Sequence, residues 1–502
     1  MLLVTLFACA QPAEKATANG SVITWSDDVT LDADFTVPEG TTLVIEHGVT
    51  VTLSEDVALL VDGELNADGG PAHDIVFTGD ANARWRSIVF SKTGTPATFT
   101  DVDDYDSGSI LTGVTIENAT RAVELAGASP YLENVVFRNN AIPATVDTIG
   151  GAAILIADGA TPRIRLCTFS ANVANTFAFG GAIYVDAANP ILQDNSFTNN
   201  VGSYGGAIST NNMASPIVGS QFTSNESASE GGAISLVSTV SALLANDIEG
   251  NHAKADGAGV HVCLDCDPHA APTLYDNIVA YNLSDNDDPA DGAAGIGAAF
   301  LGGLHTNDIH DNLRNGEPSD FAWYNLSEEA WPDWVSTPDI GDNWWDTTDA
   351  DAIAATIFDG NDDPTYASVD ASWVRDANIG APIPRVVMAP RRMHYMDAGD
   401  TIAVYLTLYN PGPAATFSLD LRERGNPFPG SLAFPGASQK DGIWTFVMPE
   451  NSVWFRTIDE STYDGTSVDD IEWMASLLDA TSGEMIGRTS VARYVLSPAD
   501  GT

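Results

Sequence analysis

Residues 196–208 read Ser196-Phe197-Thr198-Asn199-Asn200-Val201-Gly202-Ser203-Tyr204-Gly205-Gly206-Ala207-Ile208, and two phrases within this stretch recur along the chain. The first is an apolar residue followed three positions later by asparagine: Phe137–Asn140, Phe169–Asn172, Phe197–Asn200, Phe222–Asn225, Ile248–Asn251, Val279–Asn282 and Ile309–Asn312. The second is Gly180-Gly181-Ala182-Ile183, Gly205-Gly206-Ala207-Ile208, Gly231-Gly232-Ala233-Ile234 and the looser Gly257-Ala258-Gly259-Val260. A proline with an apolar residue two places on opens most units: Pro130–Leu132, Pro162–Ile164, Pro190–Leu192, Pro216–Val218 and Pro272–Leu274. A period of about 25 to 32 residues is the size of one supersecondary unit and marks a solenoid.

A unit of that length without helical periodicity requires three short strands and three turns. Runs such as Ala182-Ile183-Tyr184-Val185 and Ala233-Ile234-Ser235-Leu236-Val237 supply the strands. Proline suits a strand start, and paired glycines permit a tight corner at positive φ. Asparagine tolerates left-handed backbone, and its amide both donates and accepts. Stacked at the strand spacing of about 4.8 Å, these amides would bond up a column, with the preceding Phe rings stacked beside them. The expected fold is all-β: a parallel β-helix of about eleven or twelve coils, a rod ~50–60 Å long.

These phrases resemble those of right-handed parallel β-helix proteins of the pectin-lyase-like class. The paired GGAI and FxxN phrases are most similar to the repeats of chlamydial polymorphic outer-membrane proteins and related bacterial surface proteins. The resemblance spans residues 21 to about 375. It implies a fold more than an activity, because the repeated residues are those that build the coil.

The chain of 502 residues carries 20 Lys plus Arg against 69 Asp plus Glu, for a net charge of −49. Such a field repels nucleic acid and anionic membranes, and opposes unaided capture of a polyanionic sugar. Residues 2–8 form a short apolar run ending at Cys9. Leu6-Phe7-Ala8-Cys9 resembles a bacterial lipobox, which implies lipidation of Cys9, with Ala10 to Gly20 as a tether. The basic stretch that ordinarily precedes a lipobox is missing, so translation is expected to start further upstream. The expectation is an extracellular or cell-surface monomer, an outer-membrane lipoprotein of a Gram-negative bacterium, touching membrane only through that anchor.

Four segments are expected. Residues 1–20 are signal and tether, and 21–342 the β-helix. Residues 343–383 form a cap and linker with a short helix from Ala350 to Phe358, sealing the otherwise unpaired sheet edges. Residues 384–502 form a small antiparallel β-sandwich, similar to Ig-like accessory modules and carrying runs such as Ile402 to Asn410.

Enzymes of this fold place acidic residues beside an Arg or Lys, and this solenoid is poor in such bases. Arg163 and Arg165 share one strand face and read as a solvated exterior. Calcium is the candidate ion. Asp101, Asp103, Asp104 and Asp106 form one oxygen-rich turn, and Asp285, Asp287, Asp288 and Asp291 a second. Solvated acidic turns are the plainer account of both. Cys263 and Cys266, flanked by His261 and His269, suit a disulfide outside the cytosol, with zinc or free thiols as alternatives. Cys167 reads as buried and inert. Six Trp between 323 and 373 (Trp323, Trp331, Trp334, Trp344, Trp345, Trp373) either bury under the cap or offer sugar platforms. The reading favours a non-catalytic scaffold or adhesin-like binder of glycans or proteins; the alternative is a polysaccharide lyase, hydrolase or epimerase. A flat side of Ser, Thr and Asn would support the first, and a groove of convergent carboxylates with a base the second.

Overall fold

The computed structural model describes residues 14–17, 20–100, 105–144, 150–175, 177–262, 272–287, 293–299, 301–324, 340–364, 366–369, 371 and 374–375. Beyond these it describes residues 385–389, 392–396, 401–409, 415–423, 426–427, 438–440, 443–448, 452–459, 469–483 and 485–496. In the first part each coil visits three sheets in the same order, as in Ile191–Gln193, Ser196–Thr198 and Ile208–Asn211. The first sheet stacks twelve strands from Glu14–Thr17 to Gly303–His305, the second eleven from Val29–Leu31 to Asp308–His310. The third stacks twelve from Phe35–Val37 to Ile357–Phe358. Pairing between coils is parallel and keeps repeat positions level, so Phe137, Phe169, Phe197, Phe222, Ile248, Val279 and Ile309 form one row. Only the hairpin strand Glu14–Thr17, laid on Gly20–Trp25, runs antiparallel within the first sheet.

At the end of the second-sheet strands from Val136–Arg138 to Asp308–His310 the chain turns sharply through a left-handed residue: Asn139, Ala171, Asn199, Ser224, Gly250, Tyr281 or Asp311. The ladder asparagine follows it. The left-handed residue is thus the neighbour, and its kink swings the next side chain inward, where Asn140, Asn172, Asn200, Asn225, Asn251, Asn282 and Asn312 are all fully buried. Asn172 Nδ2 donates to Asn200 Oδ1 at 2.9 Å, Asn200 Nδ2 to Asn225 Oδ1 at 2.9 Å, and Asn225 Nδ2 to Asn251 Oδ1 at 2.9 Å. Each Oδ1 also accepts the backbone N–H of the asparagine one coil above, and each Nδ2 donates to a corner carbonyl there, as Asn200 does to Phe169. The column closes on a carboxylate, Asp320 Oδ1, which accepts from Asn312 Nδ2 at 2.8 Å.

A second column stands at the corner between the first and second sheets. It comprises Cys167, Asn195, Ser220, Asn246, Asn277, Asn307 and Asn343, joined by bonds such as Asn246 Nδ2 to Asn277 Oδ1 at 3.0 Å. Beside the columns the rings of Phe137, Phe169, Phe197 and Phe222 stack with centroids 4.9, 4.6 and 4.7 Å apart. Ile183, Ile208, Ile234 and Val260 fill the opposite wall of the same core.

The stack does not stop at residue 342. Asn343 extends the second amide column, Trp345 is buried in the core, and Ile357–Phe358 pairs in parallel with Phe321–Trp323. Residues 343–358 therefore add a further partial coil. The helix is shorter than expected, Ala350–Ala354, because residues 357–358 take up strand pairing; Asp349 caps its start, accepting from the backbone N–H of Asp351 and Ala352. Beyond Pro384 two further sheets occur. One has three strands, Arg385–Ala389, Thr401–Tyr409 and Ser452–Asp459; the other has seven. Their pairing is antiparallel except between Arg392–Met396 and Met485–Leu496.

Asn225→Ala would strip partners from Asn200 Nδ2, the Asn200 N–H and the Phe197 carbonyl at once. At roughly 1–3 kcal/mol per stranded buried group, chemical denaturation should show a loss of about 3–5 kcal/mol. A loss below ~1 kcal/mol would contradict the column's role. Gly206→Ala would place its Cβ 2.1 Å from the Gly232 carbonyl oxygen. The variant should therefore unfold at lower denaturant or fail to fold, whereas Ala at the exposed Gly159, which has nothing within 4 Å of a Cβ, should cost only its backbone strain.

Candidate functional site

Two outer surfaces of the solenoid carry side chains that the coil does not need. The first is the outer face of the second sheet. Because Phe169, Phe197 and Phe222 point inward, their strand neighbours point outward. Thr168, Ser196 and Gln221 stand level in one row, and Ser170, Thr198 and Thr223 in the next. Gln221 and Thr223 are exposed and the other four half-exposed. This makes a flat array of hydroxyls and one amide across three coils. It is bounded on one side by the Arg138–Glu117 ion pair, Nε to Oε2 2.7 Å, and on the other by Asp247 and Glu249. Burial and the charge of Glu249 push the Asp247 carboxyl up to about 6. Past Glu249 the exposed ring of Tyr281 meets His310 edge to face, with centroids 5.7 Å apart.

The second surface is the outer face of the third sheet, where Tyr184, Ser209, Ser235, His261 and Gly297 stand in register. A ledge folds over them. Before the third-sheet strands Ile208–Asn211, Ile234–Val237 and Val260–Val262 the chain runs through Val201–Tyr204, Glu226–Glu230 and His252–Ala253, which stack into a sheet of their own. It then returns through the glycine phrase at positive φ, at Gly205, Gly231 and Gly257. The return is so close that a Cβ on Gly231 would lie 2.9 Å from the Ser235 Cβ. The residue ahead of each glycine phrase lines the ledge, giving Phe179, Tyr204, Glu230 and Asp256. The N–H groups of Gly180, Gly205 and Gly231 bond to the carbonyls of Tyr204, Glu230 and Asp256 one coil on.

At one end the ledge is aromatic: the Phe179 ring stacks on Tyr184 at 5.3 Å and on Tyr204 at 5.2 Å. At the other it is acidic and sealed. His261 Nε2 lies 3.4 Å from Glu230 Oε2 and 3.8 Å from Asp256 Oδ2, with the His261 and Asp256 side chains 3% and 2% exposed. Asp256 Oδ1 accepts from Ala293 N–H at 2.7 Å and faces the Tyr324 hydroxyl at 3.5 Å, while Oδ2 has no hydrogen bond among the described residues. Burial, helped by the charge of Glu230, pushes Asp256 up to about 8, and burial drives His261 down to about 4. At neutral pH the acid therefore keeps its proton and the imidazole is uncharged. A Cβ on Gly297 would lie 2.1 Å from Asp256 Oδ1, so the bare glycine is what admits the carboxyl. In this conformation no substrate reaches Asp256; only Glu230 meets solvent.

Other expected site residues are dispersed. Cys9, Cys263, Cys266, Asp101, Asp103, Asp104, Asp288 and Asp291 lie outside the described residues. Asp106 is exposed and accepts from Thr98 and Ser107; Asp285 sits 3.0 Å from His252 Nε2. Among the described residues no group of His, Cys, Asp and Glu is arranged to hold a metal ion, and no helix is long and apolar enough to cross a membrane. Arg163 and Arg165 are packed rather than freely solvated: Arg163 lies over the Phe99 ring at 4.2 Å, and Arg165 sits 3.5 Å from Glu133. Cys167 is buried at the head of the second column, its thiol pushed to about 12. Of the Trp group, Trp323 and Trp345 are buried.

Residues 75–312 match the family model described as the right handed beta helix region. No curated protein sequence matches the chain. Among solved structures, a mutant tailspike protein of E. coli bacteriophage HK620 aligns at 13% identity, over 87% of this chain and 85% of that one, with a TM-score of 0.26. A double mutant of that tailspike in complex with a pentasaccharide aligns at 12% identity, over 87% and 86%, with a TM-score of 0.25. Alignment at those scores carries no argument about a ligand here. Register, topology and the matched family agree that the stacked coils form a right-handed parallel β-helix.

Proposed function

We propose that this chain is an exported surface β-helix that binds a glycan on the outer face of its second sheet. One observation carries the reading: three successive coils present Thr168 and Ser170, Ser196 and Thr198, Gln221 and Thr223 as a level, open, uncharged array. Rows of hydroxyls at strand spacing, about 4.8 Å, offer a polyol repeated donors and acceptors without charge. The exposed Tyr281 ring at the border adds an apolar face of the kind that sugar rings pack against. The net charge of −49 and the carboxylates of Asp247 and Glu249 favour a neutral ligand over an acidic one. Display at the cell surface rests on Leu6-Phe7-Ala8-Cys9, with Cys9 as the lipid attachment point.

The test is binding of the full chain to a panel of soluble neutral and acidic polysaccharides. Wild type should retain a neutral member. A Ser170→Glu, Thr198→Glu, Thr223→Glu variant should lose at least about tenfold in affinity, the effect of ~1.4 kcal/mol. Because the three glutamates would stand in one row with Glu249, their repulsion should lower the melting temperature somewhat, and the Ser170→Gln, Thr198→Gln, Thr223→Gln variant gives the uncharged comparison. No retention of any glycan, or equal retention by the variant, contradicts the reading. Release of reducing ends or unsaturated sugars by wild type would favour the polysaccharide-enzyme alternative.

A further inference from the structure

The acidic end of the ledge is sealed, so it contributes nothing to the binding face, yet it is built at some cost. Asp256 ties three successive turns of the solenoid: its own ledge, the next coil through Ala293 N–H, and Tyr324 one coil further. Its second oxygen and both ring nitrogens of His261 are buried without a hydrogen bond among the described residues. An uncompensated charge at such a place is expensive, so the arrangement is stable only while the carboxyl is neutral. We propose that the Asp256 side chain is a proton-operated latch that pins the ledge at residues 252–258 to the coil at residues 293–298, and lets it open when the proton leaves.

The groups facing Asp256 fix the direction of the response. Glu230 approaches from the ledge strand, His261 from the third sheet, and Tyr324 from the coil beyond, with Arg314 and Tyr366 acting behind Tyr324. No cation touches the carboxyl among the described groups. In the opened state Asp256 titrates near its ordinary 3.8, and closed near 8. Its contribution to closure is complete below 3.8 and is lost about tenfold per pH unit on the way up to 8. His261 has the opposite sign. Its ordinary value of 6.5 falls to about 4 when closed, so its contribution is complete above 6.5 and is lost as pH falls toward 4. Between 4 and 6.5 the two slopes offset each other. From 6.5 to 8 only Asp256 acts, and the latch loosens roughly thirtyfold across that interval. Tyr324, held well above its ordinary 10, stays protonated throughout.

Hydrogen exchange of the full chain, divided by intrinsic rates, reads this directly. Peptides covering residues 252–262 and 293–298 should lose about thirtyfold in protection between pH 6.5 and 8. At both pH values they should exchange faster than peptides over the Asn172–Asn225 coils, the mark of local rather than global opening. Asp256→Asn, which mimics the neutral acid, should keep its protection at both pH values. Unchanged wild-type protection overturns the latch, as does an Asp256→Asn variant that loosens like wild type. Should that variant fail to fold, the wild-type series alone decides.

Discussion

A buried amide that serves two coils at once is the interaction on which this molecule depends. At a corner of a parallel β-helix the chain kinks out of its ladder, and the N–H and C=O groups at the kink face the interior without a strand partner. Left so, each would cost about 1–3 kcal/mol. The asparagine from the next coil resolves both: its Oδ1 takes the stranded N–H, its Nδ2 the stranded carbonyl, and its remaining Nδ2 hydrogen goes to the next amide. The residue must be asparagine because it needs donor and acceptor on one short arm. In the second column Ser220 stands in with a hydroxyl that accepts the Asn195 N–H and donates to the Val218 carbonyl, and Cys167 heads the column with its own N–H on Asn195 Oδ1.

Much of this was legible in the chain. The F-x-x-N phrase marks the second corner, and the glycine phrase marks the return to the third sheet. The second column was equally present as an asparagine two residues before the apolar anchor, at Asn195, Asn246, Asn277 and Asn307, and Asn343 before Trp345 continues it. It is harder to see because serine and cysteine interrupt it. The same signal at Asn343 explains why coil stacking passes the expected boundary.

The outer surfaces were less legible, for a physical reason. Which outward residues meet solvent depends on what lies over them. Val218 and Leu244 point away from the coil interior yet are fully buried, whereas Thr198 and Gln221 point outward and stay accessible. Asp256 and His261 draw their character from residues 230, 293, 297 and 324, a convergence that no local phrase announces. The hint that did exist was positional: whatever precedes a glycine phrase lands on the ledge. One scaffold thus supports a flat face that stays open and a seam that closes, and the level register set by the amide columns makes both possible.

The central claim is that these columns hold the coils in register, and amide hydrogen exchange of the wild-type chain tests it most directly. The account predicts that peptides containing Asn172, Asn200, Asn225 and Asn251 exchange slowest of all, through global unfolding alone. Exchange of those segments through local opening, as fast as that of the exposed turns, would contradict it.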